Sequence, residues 1–118
     1  MNHRVRHGRP AAAAVLTIIA AFAAVGCSSG HSSASRSSVV IKNFAFTPPS
    51  TSATAGQALT IRNGDDTTHT FTADDGSFDS GPIAGGQTKS VTPSGTGTIH
   101  YHCSIHTYMT GTLRVSRK

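Results

Sequence analysis

From Val39 onward apolar and polar residues alternate in short runs, each closed by a turn signal about ten residues after the last. VVIKNFAF (39–46) reads as one strand in which Val39, Val40 or Ile41, Phe44 and Phe46 compete for the inside. Pro48-Pro49 ends that strand or confines it to an edge, because proline gives no N–H to a ladder. Gly56 marks a turn, and ALTIR (58–62) puts Leu59 and Ile61 on one face. NGDD (63–66) is a strong turn signal, followed by the β-branched run THTFT (68–72) and a second turn at Asp74-Asp75-Gly76. Residues 77–83 are irregular, with Phe78 and Ile83 as expected buried anchors. GGQTKSVTP reads as a turn and a strand ending near Pro93, and SGTG (94–97) turns the chain again. Thr98 to Cys103 is a strand with Ile99, Tyr101 and Cys103 on one side and His100 and His102 on the other. Thr110 to Val115 is the last strand, with Leu113 and Val115 inward. Short strands at this spacing predict an all-β, antiparallel sandwich or barrel. No heptad pattern or internal repeat is visible.

The first part of the chain follows a different pattern. Met1 to Pro10 is basic, Ala11 to Val25 is apolar, and Gly26-Cys27 follows. That order is the order of a bacterial export signal, and the apolar run is short for a membrane span. AVGC resembles a lipobox, in which the cysteine becomes the lipid-modified first residue, although Ala24 stands where leucine is more usual. An ordinary secretory peptide cut near Gly26 and an uncleaved anchor are the other readings. The polar stretch SSGHSSASRSS after Cys27 favours the lipoprotein, since it has the composition of a flexible tether. We therefore expect an export signal at 1–26, a Ser-rich, disordered tether at 27–38, and one folded domain at 39–118.

Composition and charge narrow this picture. The 118 residues include no Trp and only 36% hydrophobic residues, so one small domain with a thin core is expected and a helix bundle is not. The formal charge of +5 overstates the basic surface, because Arg4, Arg6 and Arg9 lie in the leader. Without them it is about +2, which gives no reason to expect a nucleic-acid partner.

Candidate chemistry lies in HYHCSIHTYM, His100 to Met109. Cys27 and Cys103 are the two cysteines, and a disulfide between them is not expected, since lipidation would consume the thiol of Cys27. Cys103 is then a lone thiol in an oxidising compartment, either buried as a structural residue or protected by a metal. Cys103, His106 and Met109 occur at two-residue gaps in a short loop between strands, which can turn all three side chains toward one point. Taken singly, Cys-x2-His is weak evidence and a lone methionine is more often core. A further ligand must come from elsewhere, and His69, just after NGDD, is the candidate in the ordered region. His69, Cys103 and His106 with a weak axial Met109 would make the His2Cys set of a blue-copper site. Zinc fits less well, because a thioether is an unusual zinc ligand.

At these residues the chain resembles a cupredoxin of the plastocyanin and amicyanin group. The resemblance covers about Val39 to Val115 and rests on FAFTPPS, on GQALTIRNGDDTTHTF, and on GTIHYHCSIHTYMTGTLRV, whose ligand loop has the short amicyanin-type spacing. It implies a Greek-key β-sandwich of about seven to eight strands, one copper ion cycling between Cu(I) and Cu(II), and His106 as the ligand nearest the surface, where electrons pass. Three departures bear on tuning. Ile61-Arg62 replaces an aromatic position, Thr107 stands where some relatives have proline, and Thr70 follows His69 where several have asparagine. Thr70 can still offer an N–H and a hydroxyl to the outer shell.

The resemblance implies one-electron transfer without enzymatic turnover, and the export pattern at 1–27 puts that work at the cell envelope. The expected protein is a monomer with a redox partner, held by a lipid at Cys27 on the outer face of the cytoplasmic membrane. A copper carrier using the same ligands, exchanging the ion with a donor or acceptor, is the main rival. A metal-free adhesion-like sandwich is the third reading. A Cys103–His106 thiol dyad lacks an orienting third residue. His100 and His102 are read as surface histidines, with an adventitious second metal site on that face as the other reading, and the aspartates as turn residues.

Overall fold

The computed structural model describes residues 36–118, together with Ala12 and Gly26. The expected export signal, apart from those two residues, and Cys27 with the tether up to residue 35 lie outside the described residues. The chain divides into two units, Met1–His31 and Ser32–Lys118, and the sheets belong to the second. Among the described residues there is no helix.

Eight strands form two four-stranded sheets. The first has the order β2-β1-β4-β6, from β1 (Ser38–Lys42), β2 (Ala45–Thr47), β4 (Leu59–Asn63) and β6 (Thr88–Val91). The second has the order β3-β8-β7-β5, from β3 (Ser50–Thr54), β5 (Thr72–Ala73), β7 (Gly97–His102) and β8 (Thr110–Ser116). The sandwich is mixed where a purely antiparallel one was expected. β1 runs parallel to β4, and β3 parallel to β8. Strands adjacent in sequence mostly do not pair here, and a chain that crosses between sheets can return beside an earlier strand in the same direction.

Period-two alternation accounts for the core. Val39 and Ile41 of β1, Leu59 and Ile61 of β4, and Leu113 of β8 are wholly buried, and Ile99 and Tyr101 of β7 lie beside them. Phe46, Phe71, Phe78 and Tyr101 form an aromatic group between the sheets, with Phe71 and Tyr101 centroids 4.1 Å apart. Phe78 and Ile83 are buried as their sequence positions suggest.

Three elements differ from the sequence reading. The stretch 39–46 is a hairpin and not a single strand, broken at Asn43 and Phe44, both at positive φ (51° and 58°). Two consecutive residues at positive φ make the tight hairpin turn whose twist suits paired strands. The turn reverses Phe44 out of the core, so that it is 40% exposed. β3 (STSAT) carries no strong apolar signal; Ala53 is its one buried residue, and pairing with β8 defines it. The expected strand at 68–72 shrinks to two-residue β5 with isolated bridges at His69–Ile83 and Thr72–Asp79.

Candidate metal centre

The loop between β7 and β8 closes on itself through its backbone. The Cys103 N–H donates to the Met109 carbonyl (3.0 Å), and the Met109 N–H donates to the His106 carbonyl (2.9 Å). Cys103 is therefore held at the end of β7 and Met109 at the start of β8, with His106 between them. Cys103 is wholly buried, Met109 is 2% exposed and belongs to the core cluster, and His106 is half-buried.

His69 reaches the same place from a different part of the chain. Its backbone exchanges two hydrogen bonds with Ile83, N–H to carbonyl at 3.1 Å and carbonyl from N–H at 2.7 Å. The preceding turn is built on Asn63, whose amide donates to the Thr67 and Ile83 carbonyls and whose oxygen accepts from the Asp65 N–H. This side-chain network spends local hydrogen-bonding capacity on the loop and holds His69 outside a regular ladder.

The donors converge. Cys103 Sγ lies 3.9 Å from His69 Nδ1 and 3.8 Å from His106 Nδ1, and the ligand atoms of the three residues all fall within 4.8 Å of one another. Among the described residues this is the one grouping of three or more histidine, cysteine or acidic donors. Two imidazoles and a thiol in a nearly dry pocket suit a soft or borderline metal ion, and Met109 places a thioether in the same loop.

Residues around the donors fix their orientation. The Thr70 N–H donates to Cys103 Sγ (3.3 Å), and Thr70 Oγ1 accepts from the Ser104 N–H (2.8 Å). Thr70 thereby joins the two loops through the backbone N–H and hydroxyl that its position makes available. His69 Nε2 lies 3.0 Å from Asp65 Oδ2. With the Nε2–H donated to that carboxylate, the Nδ1 lone pair is left for the pocket.

Asp65 was read from sequence as a turn residue, and its role is wider. It is 9% exposed, and its carboxylate also accepts from the Asn43 N–H (2.7 Å) and the Phe44 N–H (2.9 Å). Burial pushes the Asp65 carboxyl up, but the hydrogen bonds from Phe44, Asn43 and His69 outweigh it and hold the group below the usual carboxylate range. The same carboxylate thus sets His69 and the β1–β2 turn. That turn carries Phe44, whose ring meets both imidazoles edge-on, with centroids 5.1 Å from His69 and 5.1 Å from His106. Nothing in the sequence sets Asp65 apart from its neighbours in NGDD, and only the fold shows its links to residues 43, 44 and His69.

His100 and His102 lie on the opposite face of β7 from the buried Tyr101 and Cys103, so they are not part of this grouping. Cys27 lies outside the described residues. No curated protein sequence matches the chain. The structure is similar to an amicyanin variant in its Cu(I) form, at 24% identity over 68% of this chain and 81% of that one, with a TM-score of 0.61. It is also similar to a purple cupredoxin from Nitrosopumilus maritimus, at 22% identity over 68% of this chain and 99% of that one, with a TM-score of 0.60. A reduced amicyanin variant at pH 4 gives 23% identity over 70% and 83%, with a TM-score of 0.63. At these identities the likeness is one of fold. The family model described as a cupredoxin-like domain matches residues 14–115, and with that span of the sequence and this arrangement of strands, the chain belongs to the cupredoxin-like family.

Proposed function

We propose that this protein is a type 1 copper protein that transfers single electrons at the bacterial cell envelope. One copper ion is held by His69, Cys103 and His106, with Met109 as the fourth, weaker ligand. The observation that carries this reading is the meeting of His69 Nδ1, Cys103 Sγ and His106 Nδ1 within 4.8 Å of one another. Membership of the family and the copper named for amicyanin support it.

Bound there, copper supplies a one-electron couple. The chain supplies the rest. Cys103 gives a thiolate whose charge is met by the Thr70 N–H. Asp65 holds the ring of His69, and the backbone bonds of the β7–β8 loop hold Cys103 and Met109. A donor set fixed in this way changes little between oxidation states, which favours fast electron exchange. His106 is the least buried of the three, and Phe44, Ile105 and Tyr108 stand exposed on its own loop and the adjoining turn. An apolar rim around a half-buried ligand suits brief contact with a redox partner protein. On this reading the protein is a monomeric carrier and not an enzyme.

The copper-loaded protein is expected to show an intense visible thiolate-to-Cu(II) band that Cys103→Ser abolishes. A colourless protein that takes up no copper would remove this reading. A copper carrier in envelope homeostasis would use the same residues. Rapid release of copper to an acceptor together with sluggish electron exchange would identify that alternative. The envelope location is proposed from the sequence alone, through lipid attachment at Cys27. Mass spectrometry of the mature N-terminus is expected to find a diacylglyceryl-modified cysteine, and an unmodified end, or one that does not begin at Cys27, would refute it.

A further inference from the structure

The outer face of β7 carries two histidines that the candidate metal centre does not use. His100 and His102 are two residues apart on one strand, so both side chains leave the same face, with about 7 Å of strand between them. The partners across the ladders are small. His102 stands between Thr72 of β5 and Thr110 of β8, and His100 stands opposite Thr112. Beside these short side chains His100 is exposed and His102 is partly exposed. Pro49, Asp74, His100, Thr110 and Thr112 line a shallow depression beside His100, with His102 at its margin through Asp74.

Asp74 gives this pair an orientation. Its backbone N–H donates to the His100 carbonyl (2.8 Å), which fixes it beside β7. Its carboxylate meets His102 Nδ1. With the Nδ1–H donated to Asp74, the Nε2 lone pair of His102 is directed away from the carboxylate. This is the arrangement in which a carboxylate prepares an imidazole for a metal. His100 Nδ1 lies 3.5 Å from Thr112 Oγ1, a long contact that leaves the ring free to turn. His100 is exposed, and the side chain of His102 is 30% exposed.

We propose that His100 and His102 form a second, surface site for a borderline divalent transition ion, best suited to Cu(II), with Asp74 as the carboxylate that orients His102. Two neutral imidazoles are the donors, and water completes the coordination. Cu(II) stands at the top of the affinity order for such nitrogen donors. The donors are not gathered to one point as those of the first centre are, and rotation of the exposed His100 ring brings them together. Lacking a thiolate, the site gives none of the intense colour expected of Cys103. It does not depend on the function proposed for the first centre, since it shares no ligand with it.

The test is residue-resolved nitrogen–proton NMR of the imidazoles in the full chain, using Cu(II) itself as the probe. With the spectrum at one equivalent as the baseline, which discounts broadening of His102 by Cu(II) at the neighbouring Cys103, further Cu(II) is expected to broaden His100 before His31. His100→Ala or His102→Ala is expected to weaken this second uptake roughly tenfold or more, and Asp74→Asn about tenfold. All three variants should keep the uptake of the first equivalent and the melting temperature, because the altered side chains are partly or fully exposed. Broadening of His100 no stronger than that of His31 on that further addition overturns the proposal, as does a second equivalent held equally well by His100→Ala. Failure of the first centre reads out separately, as an absent visible band with His69 and His106 unaffected by the first equivalent.

Discussion

Replacing Asp65 by Asn keeps the size of the side chain and removes its charge. Three donors converge on that carboxylate: the Asn43 N–H, the Phe44 N–H and His69 Nε2. An amide must turn its own NH2 toward at least one of them, so at least one contact is lost. Asp65→Asn is therefore expected to cost about 1–3 kcal/mol of stability at neutral pH, measured by urea unfolding. The sign of the pH dependence follows from a carboxyl held below its ordinary value of 3.8 in the folded chain. The contribution of Asp65 is fully present above that value and is lost as pH falls through the lower folded value. The gap between wild type and Asp65→Asn should accordingly close in acid. A gap of constant size down to the acid transition would mean that the carboxylate charge is not the source. From sequence, His69, Cys103 and His106 could be singled out because ligand chemistry restricts residue type and spacing. Asp65 could not, because an aspartate in NGDD satisfies a turn equally well, and its real partners lie about twenty residues earlier in the chain.

At the scale of elements, the β1–β2 hairpin is the least expected piece. A turn with positive φ at both central residues usually carries Asn-Gly, and here the second position is Phe44. A bulky side chain in that conformation costs about 1–2 kcal/mol, against edge contacts to two imidazoles of about 0.5–1.5 kcal/mol each. Phe44→Gly relieves the first and forfeits the second, about 1–3 kcal/mol for the two contacts together, so stability should fall by no more than about 2 kcal/mol. The imidazole N–H of His106, however, should exchange faster with water. A large loss of stability with unchanged exchange would mean that Phe44 is a structural anchor and not a cover for the donors. This conflict between residue type and turn type is also why 39–46 read as one strand: its alternation continues through a break that only tertiary contacts impose.

Another element-level constraint joins β7 to β8. Gly111 faces Tyr101 across the ladder, and a methyl group at Gly111 would collide with the Tyr101 ring. Gly111→Ala is expected to destabilise by about 1–3 kcal/mol. The Tyr101 hydroxyl has no hydrogen-bond partner among the described residues, and burial pushes its pKa up to about 12. Folded chain thus keeps the phenol neutral where unfolded chain begins to ionise. The stability tied to Tyr101 is intact below pH 10 and declines as pH rises toward 12. Tyr101→Phe should be neutral or stabilising by about 1 kcal/mol at pH 7 and should flatten the alkaline decline, as read by urea midpoints at several pH values. In the sequence Gly111 looked like an ordinary strand residue, because its partner is fixed by register and not by neighbours.

Over the folded domain, the strands with strong apolar alternation (β4, β7 and β8) were legible because each buries one face against the other sheet. β3 was not, because its Ser, Thr and Ala residues offer almost nothing to bury and its place depends on a parallel partner more than fifty residues away. The mixed direction of both sheets was illegible for the same reason, since alternation reports which face is inside and not which strand lies alongside.

β1 has a further consequence because of where its two ends lie. It starts at Ser38, with the Ser37 carbonyl accepting from the Thr60 N–H, beside a hollow lined by Arg36, Thr54, Gln57 and Lys118. It finishes at Lys42, immediately before the turn that sets Phe44 against His69 and His106. The strand therefore runs from that hollow to the turn beside the two imidazoles. Load applied at Arg36 reaches the domain at the end of β1 away from the donors. A bead or electrode linker joined at Arg36 or Lys118, beside that hollow, would leave the His106 edge unobstructed, whereas an attachment at Asn43 or Tyr108 would sit across it.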